Sequence, residues 1–144
     1  MALVVDASVA VRWLFDMEGA TQADALLQSK ETLIAPDLVF TEIANATWRM
    51  VEFASLSREA ATESVLKSSD FFHEIVPCLG LKDRALELSM ALRHPAYDCF
   101  YLALADQRDC QMVTADEKLV ARCAGTPFAK RIRPLISARS GRRR

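Results

Sequence analysis

Histidine and glycine are scarce in this 144-residue sequence: it has two histidines, His73 and His94, and four glycines. The glycines form neither a G-x-x-x-x-G-K-[ST] nor a G-x-G-x-x-G pattern, so nothing supports nucleoside-triphosphate or dinucleotide binding. No G-x-S-x-G turn is present, which removes the usual setting for a serine nucleophile. His73 closes an apolar stretch and His94 precedes a proline. Both read as structural, apart from any acidic motif, and a histidine acid–base pair lacks support. The four cysteines, Cys78, Cys99, Cys110 and Cys123, show no C-x-x-C and no zinc spacing. Cys99 falls in an apolar helical run and reads as packing, with Cys110 and Cys123 alike; a disulfide framework or a catalytic thiol is not expected. No apolar run approaches the roughly 20 residues that span a bilayer. The N-terminus lacks the charged, apolar and cleavage regions of a signal peptide, so a cytoplasmic protein without a membrane role is expected.

What is present is an ordinary globular composition, 51% hydrophobic and 26% charged, in a length that suits one domain. The net charge of −1 hides a polar distribution. All 19 acidic residues and nine of the 18 basic ones lie at or before Glu117, leaving −10 up to that point and +9 beyond it. A division follows into a folded domain over residues 1–136 and a basic tail over 137–144. The tail arginines Arg139, Arg142, Arg143 and Arg144 read either as phosphate contacts or as a solubilising end.

Residues 2–5 read as a buried strand and Ser8 to Phe15 as a short helix, with Val9, Arg12 and Trp13 near any site at that strand's end. Helices are expected over Ala20–Ser29, Asp37–Ala54, Ser57–Phe72, Leu81–Arg93, Ala96–Gln107 and Glu117–Cys123. Strands are expected over Thr32–Ala35, Glu74–Cys78, Gln111–Thr114 and, as an edge carrying Pro134, Ile132–Ile136. The run from Ala96 is apolar on nearly all sides and should be central. Short strands alternating with helices predict an α/β sandwich with a mostly parallel sheet of four to five strands. Ligands of such sheets bind beyond the carboxyl ends of the strands.

Four acids stand at the joints of this pattern. Asp6 ends the first strand, Glu42 lies inside the helix after Pro36, Asp98 opens the apolar helix, and Asp116 follows a late strand. Taken singly each has a plainer reading: Asp6 as a turn residue, Asp98 and Asp116 as helix caps, Glu42 as a solvated helix residue. Gathered by the fold, four carboxylates would repel one another unless a cation sat among them, and hard divalent ions such as Mg²⁺ or Mn²⁺ prefer such oxygens. Leu38, Glu42, Asn45 and Arg49 fall at helical spacing and would share one side.

The ordered set Val5-Asp6-Ala7-Ser8, Thr41-Glu42-Ile43-Ala44-Asn45-Ala46, Tyr97-Asp98-x-x-Tyr101-Leu102-Ala103-Leu104-Ala105 and Val113-Thr114-Ala115-Asp116 resembles the PIN-domain nucleases, in particular the VapC toxins of prokaryotic toxin–antitoxin systems. The resemblance runs from about residue 2 to about residue 136. It implies a PIN-like α/β/α sandwich and a divalent-metal-dependent endoribonuclease that hydrolyses tRNA or ribosomal RNA. Asp6 and Asp98 would be direct Mg²⁺ or Mn²⁺ ligands. Glu42 and Asp116 would bind directly or through water, and Ser8, Asn45 and Thr114 would support the cluster. It also implies a homodimer silenced by a VapB-like antitoxin. Arg12 and the tail arginines Arg139, Arg142, Arg143 and Arg144 are the candidate RNA contacts. Trp48 stands where a smaller aliphatic residue is expected. Alternatives are a PIN nuclease of RNA processing outside any toxin–antitoxin pair and a catalytically idle interaction module. A receiver domain, which needs a lysine after a late strand, and a dehalogenase-like domain, which needs D-x-D where Asp6 is followed by Ala7-Ser8, fit less well.

Overall fold

Leu3, Val4 and Val5 are all buried, so the strand β1 (Ala2–Val5) is covered on both faces, as a central parallel strand must be. A computed structural model describes residues 1–136. In it β1 lies at the middle of a five-stranded sheet with β2 (Thr32–Pro36), β3 (Glu74–Val76), β4 (Gln111–Thr114) and β5 (Ile132–Pro134), in the order β3-β2-β1-β4-β5. Every pairing is parallel, with Val4 opposite both Ile34 and Met112. The sheet is thus wholly rather than mostly parallel. Its connections run outward in one direction from β1 to β3 and in the other from β4 to β5. The reversal falls between β1 and β4, which is where open parallel sheets form their ligand crevice.

Alternation along β1 sorts the core into two layers. Leu3 and Val5 pack with Leu33, Val113, Val9 of α1 (Ala7–Leu14) and Ala23 of α2 (Ala20–Gln28). Val4 faces the other way with Ile34 and Met112. On that side lie α3 (Leu38–Phe53), α5 (Lys82–Leu92), α6 (Ala96–Gln107) and α7 (Glu117–Cys123). The helix α4 (Arg58–Lys67) packs mainly on α3. The result is helices, sheet and helices. In α6, Cys99 and Tyr101 through Ala105 are all buried, in keeping with a run that is apolar on nearly every side.

Several expected boundaries shift for local reasons. Helix α4 ends at Lys67, because the Ser68 hydroxyl donates to the Val65 carbonyl at 2.7 Å and the chain tightens into a 3-10 turn over Ser68–Phe71. Its start agrees with the expected cap: Ser57 Oγ accepts from the Ala60 N–H. Strand β3 stops at Val76, since Pro77 has no N–H to continue the ladder. Strand β2 includes Pro36, its last residue. All four cysteines are free thiols; Cys99, Cys110 and Cys123 are buried. No helix of the described residues is long and apolar enough to cross a membrane.

Candidate active site

Asp6 leaves β1 and caps α1 in one step. Its Oδ1 accepts from the Val9 N–H at 3.2 Å and from the Ser8 hydroxyl at 2.6 Å, while its Oδ2 accepts from the Thr114 hydroxyl. The two hydroxyls are themselves oriented by the neighbouring strand end. Ser8 Oγ accepts from the Ala115 N–H at 2.9 Å, and Thr114 Oγ1 accepts from the Asp116 N–H at 3.0 Å. Backbone donors beyond β4 thus turn both hydroxyl hydrogens toward one carboxylate. Oδ1 has both lone pairs engaged. Oδ2 keeps one, so Asp6 has a single direction left for a ligand. Asp6 is almost fully buried, and burial pushes its carboxyl up to about 6 against these hydrogen bonds.

Asp98 sits in the first turn of α6, and Asp116 caps α7 by accepting from the Lys118 N–H at 2.9 Å. Glu42 projects from α3 and accepts from the Tyr101 hydroxyl at 2.6 Å. Burial raises the Glu42 and Asp98 carboxyls above their ordinary range; Asp98 raises Glu42 further, and Asp116 raises Asp98. Asp98 also adds to the upward push on Asp6. Asp98 is therefore the acid that the other three have in common as a like-charged neighbour.

The structure brings Asp6, Glu42, Asp98 and Asp116 together at the carboxyl edge of the sheet. A cleft of about 510 Å³ opens there, with Ser8, Glu42, Asp98 and Asp116 in its wall. Leu38, Asn45 and Arg49 join Glu42 along one side of α3, as their spacing requires. Ser8 and Thr114 touch Asp6 directly. Asn45 lines the cleft and makes no side-chain hydrogen bond among the described residues. Arg12 is elsewhere. Its guanidinium donates to the carbonyls of Ser8 and Glu18 and lines a separate cavity of about 310 Å³. Gly19, at φ +91°, lets the chain pass so close that a Cβ there would lie 2.8 Å from Arg12 Nε. Arg12 is thus a clasp on the loop between α1 and α2, not a wall of the acidic cleft. Val9 and Trp13 also turn inward, Val9 into the core and Trp13 against Phe71 and Phe72, with its indole N–H on the Ala23 carbonyl. Trp48 is half exposed on a groove of about 620 Å³ between α3 and α4, apart from the acids. The candidate contacts Arg139, Arg142, Arg143 and Arg144 lie outside the described residues.

One neighbour of the acids escapes the sequence reading. His94 is not remote from the acidic motifs: its Nε2 lies 2.6 Å from Asp98 Oδ2. His94, Asp98 and Asp116 can each bring one ligand atom within 4.8 Å of the others. The four-residue spacing from His94 to Asp98 was the available signal, masked by Pro95, which reads as a break but here caps α6. His73 is structural as expected, its Nδ1 accepting from the Leu33 N–H at 2.9 Å.

Known proteins share this fold. The PIN-domain family pattern matches residues 3–125. Ribonuclease VapC9 of Mycobacterium tuberculosis is 33% identical over 117 residues, covering 81% of this chain and 87% of its own. Among solved structures, Pyrobaculum aerophilum PAE2754 superposes with a TM-score of 0.70 at 23% identity, covering 94% of this chain and 84% of its own. The structure of VapBC2 from Rickettsia felis, bound to a DNA fragment from their promoter, includes a chain that superposes with a TM-score of 0.64 at 13% identity, over 93% of this chain and 98% of that one. With its wholly parallel sheet, its acids gathered at the crevice and its family pattern spanning most of its length, the chain belongs to the PIN-domain family.

Proposed function

We propose that the chain is a divalent-metal-dependent endoribonuclease acting as the toxin of a VapBC-type pair, held in check by a VapB-like antitoxin. The observation that carries the reading is the convergence of four carboxylates from four separate elements at one edge of the sheet, three of them in the wall of one cleft and Asp6 buried behind it. Asp6, Glu42 and Asp98 are buried enough to be raised, and neighbouring carboxylates raise them further. Such a cluster asks for a cation. Among the described residues lining the cleft the only cationic side chain is Arg49, whose guanidinium lies 5.5 Å from the Phe53 ring centroid. An all-oxygen donor set with room for water and phosphate suits Mg²⁺ or Mn²⁺. Asp6, Glu42, Asp98 and Asp116 would hold it. When bound, the ion would activate water near neutral pH and offset the charge of the scissile phosphate.

This chain's own residues supply the rest. Ser8 and Thr114 hold Asp6 in one orientation, Tyr101 holds Glu42, and the α3 side of the cleft, with Asn45 and Arg49, faces the polynucleotide. The relatives named VapC support the ribonuclease reading, and VapBC2 supports a toxin–antitoxin pairing. A basic side chain of the antitoxin would find in the cluster the largest unpaired charge of the cleft.

The test is cleavage of total tRNA and ribosomal RNA by the purified chain with Mg²⁺, Mn²⁺ or EDTA. Cleavage should need the metal and leave 5′-phosphate and 3′-hydroxyl ends, because water rather than the ribose 2′-hydroxyl attacks. Full activity in EDTA, or 2′,3′-cyclic phosphate ends, would overturn the proposal. Expression alone should arrest growth, and co-expression with the product of an adjacent small gene should restore it. A harmless active enzyme would indicate RNA processing instead.

A further inference from the structure

We infer that His94 is a positioning residue for Asp98, fixing which carboxylate oxygen the cluster offers to a metal ion. The inference rests on the metal-site reading above and adds to it a residue outside the acidic set.

The geometry begins with the backbone. Arg93 ends α5 in the left-handed region, at φ 55°. The next residue is pinned at both ends by Ser89: the His94 N–H donates to the Ser89 carbonyl at 3.2 Å, and the Ser89 hydroxyl donates to the His94 carbonyl at 2.5 Å. Pro95 then disfavours a helical conformation at His94 and starts α6. The loop leaves the imidazole facing forward along α6, four residues before Asp98. Nε2 lies 2.6 Å from Asp98 Oδ2, and in the tautomer that carries hydrogen on Nε2 the ring N–H donates to the carboxylate and takes one lone pair of that oxygen. Oδ1 keeps both of its lone pairs and is the freer oxygen for the cluster.

The imidazole side chain is only 6% exposed, so it does not reach a polynucleotide in the cleft and is not a catalytic acid or base. Nor is Nε2 free to ligate a metal while it holds Oδ2. What it opposes is electrostatic. Asp98 is the common neighbour of the other three acids and a quarter exposed, and without a tether its carboxylate would turn toward solvent, away from Asp116. Partners of this kind, behind the ligands, typically carry a 10–100-fold share of metal affinity, roughly the loss expected here.

Mn²⁺ binding to the full chain, followed by calorimetry and by electron spin-echo spectroscopy, tests the assignment. His94→Ala should weaken Mn²⁺ binding by about 10–100-fold. RNA cleavage lost at low metal should return at high metal, since the reacting groups themselves are intact. His94→Gln, whose amide nitrogen reaches about as far as Nε2, should bind within roughly three-fold of the wild type, whereas the shorter His94→Asn should behave like the alanine variant. If the alanine variant does not fold, the Gln and Asn pair carries the comparison. Equal Mn²⁺ affinity in the wild type and in His94→Ala or His94→Asn would overturn the inference and leave the metal site standing. A ¹⁴N coupling from a directly bound imidazole would overturn it too, in favour of a ligand role. Absence of Mn²⁺ binding by the wild type would instead sink the metal reading itself.

Discussion

Three hydrogen bonds and nearly complete burial pull the Asp6 carboxyl in opposite directions, and burial prevails, moving it from 3.8 to about 6. That difference is worth about 3 kcal/mol between the two protonation states. The sign follows from linkage. A carboxyl raised in the folded state contributes stability that is fully present below 3.8 and lost as the pH rises through about 6. The metal-free protein therefore carries a cost at neutral pH that Asp6→Asn removes. The wild-type melting temperature, measured relative to that of Asp6→Asn, should rise as the pH falls from 7.5 to 5. A difference that stays flat would mean Asp6 is not strained. Mg²⁺ should stabilise the wild type more at pH 7.5 than at pH 5, because protons compete for the same oxygens. Asp98→Asn is the milder change, as its amide can donate to His94 Nε2 in the other tautomer. It should abolish cleavage and melt no lower than the wild type without metal. At this scale the four acids were legible because each marks the end or the first turns of an element. The His94–Asp98 bond was not, because Pro95 hides a four-residue spacing that spans a loop and the first turn of a helix.

Helix α6 carries Asp98 toward the cleft and Tyr101 into the core, and Tyr101 in turn reaches Glu42 on α3. One element thus aligns two acids from different parts of the chain. Tyr101→Phe keeps the packing and removes the hydroxyl. It should lower stability by about 1.5 kcal/mol, a charge-assisted hydrogen bond less some rehydration of Glu42. It should also weaken Mn²⁺ binding by about 10-fold, measured by calorimetry beside a thermal melt. An unchanged affinity would confine Tyr101 to packing. The bounds of α6, β4 and α7 agree with their expected residues, since hydrophobic period and flanking polar residues point the same way in each. Strand β3 and helix α4 were expected too long. Their ends depend on single donors, the N–H that Pro77 lacks and the hydroxyl that Ser68 turns on Val65, which periodicity does not register. The clasp that Arg12 makes was not legible for a related reason. Its hold on Ser8 and Glu18 depends on the left-handed turn at Gly19, and a basic residue near a strand end looks the same without it.

Over the whole chain the charge is divided, with every acid at or before Glu117 and a basic end beyond. Removing residues 139–144 takes away four arginines and no acid. If those arginines contact RNA, the slope of log K against log salt should fall by up to about 0.7 per lost contact on single strands. Cleavage at saturating RNA should hardly change, since all four acids lie upstream. An unchanged slope would assign the end to solubility. The parallel order of the sheet also sets a timetable. β1 emerges early during synthesis, yet one of its two neighbours is β4, and the Thr114 hydroxyl that orients Asp6 lies 108 residues further along. At about 5–20 residues per second, Asp6 waits roughly 5–20 s for that partner. Until then β1 has only β2 beside it, and Asp116 does not yet exist. A message broken just before codon 116 yields a polypeptide with four of the five strands and no completed cluster, so the chemistry arrives only after most of the sheet has been made.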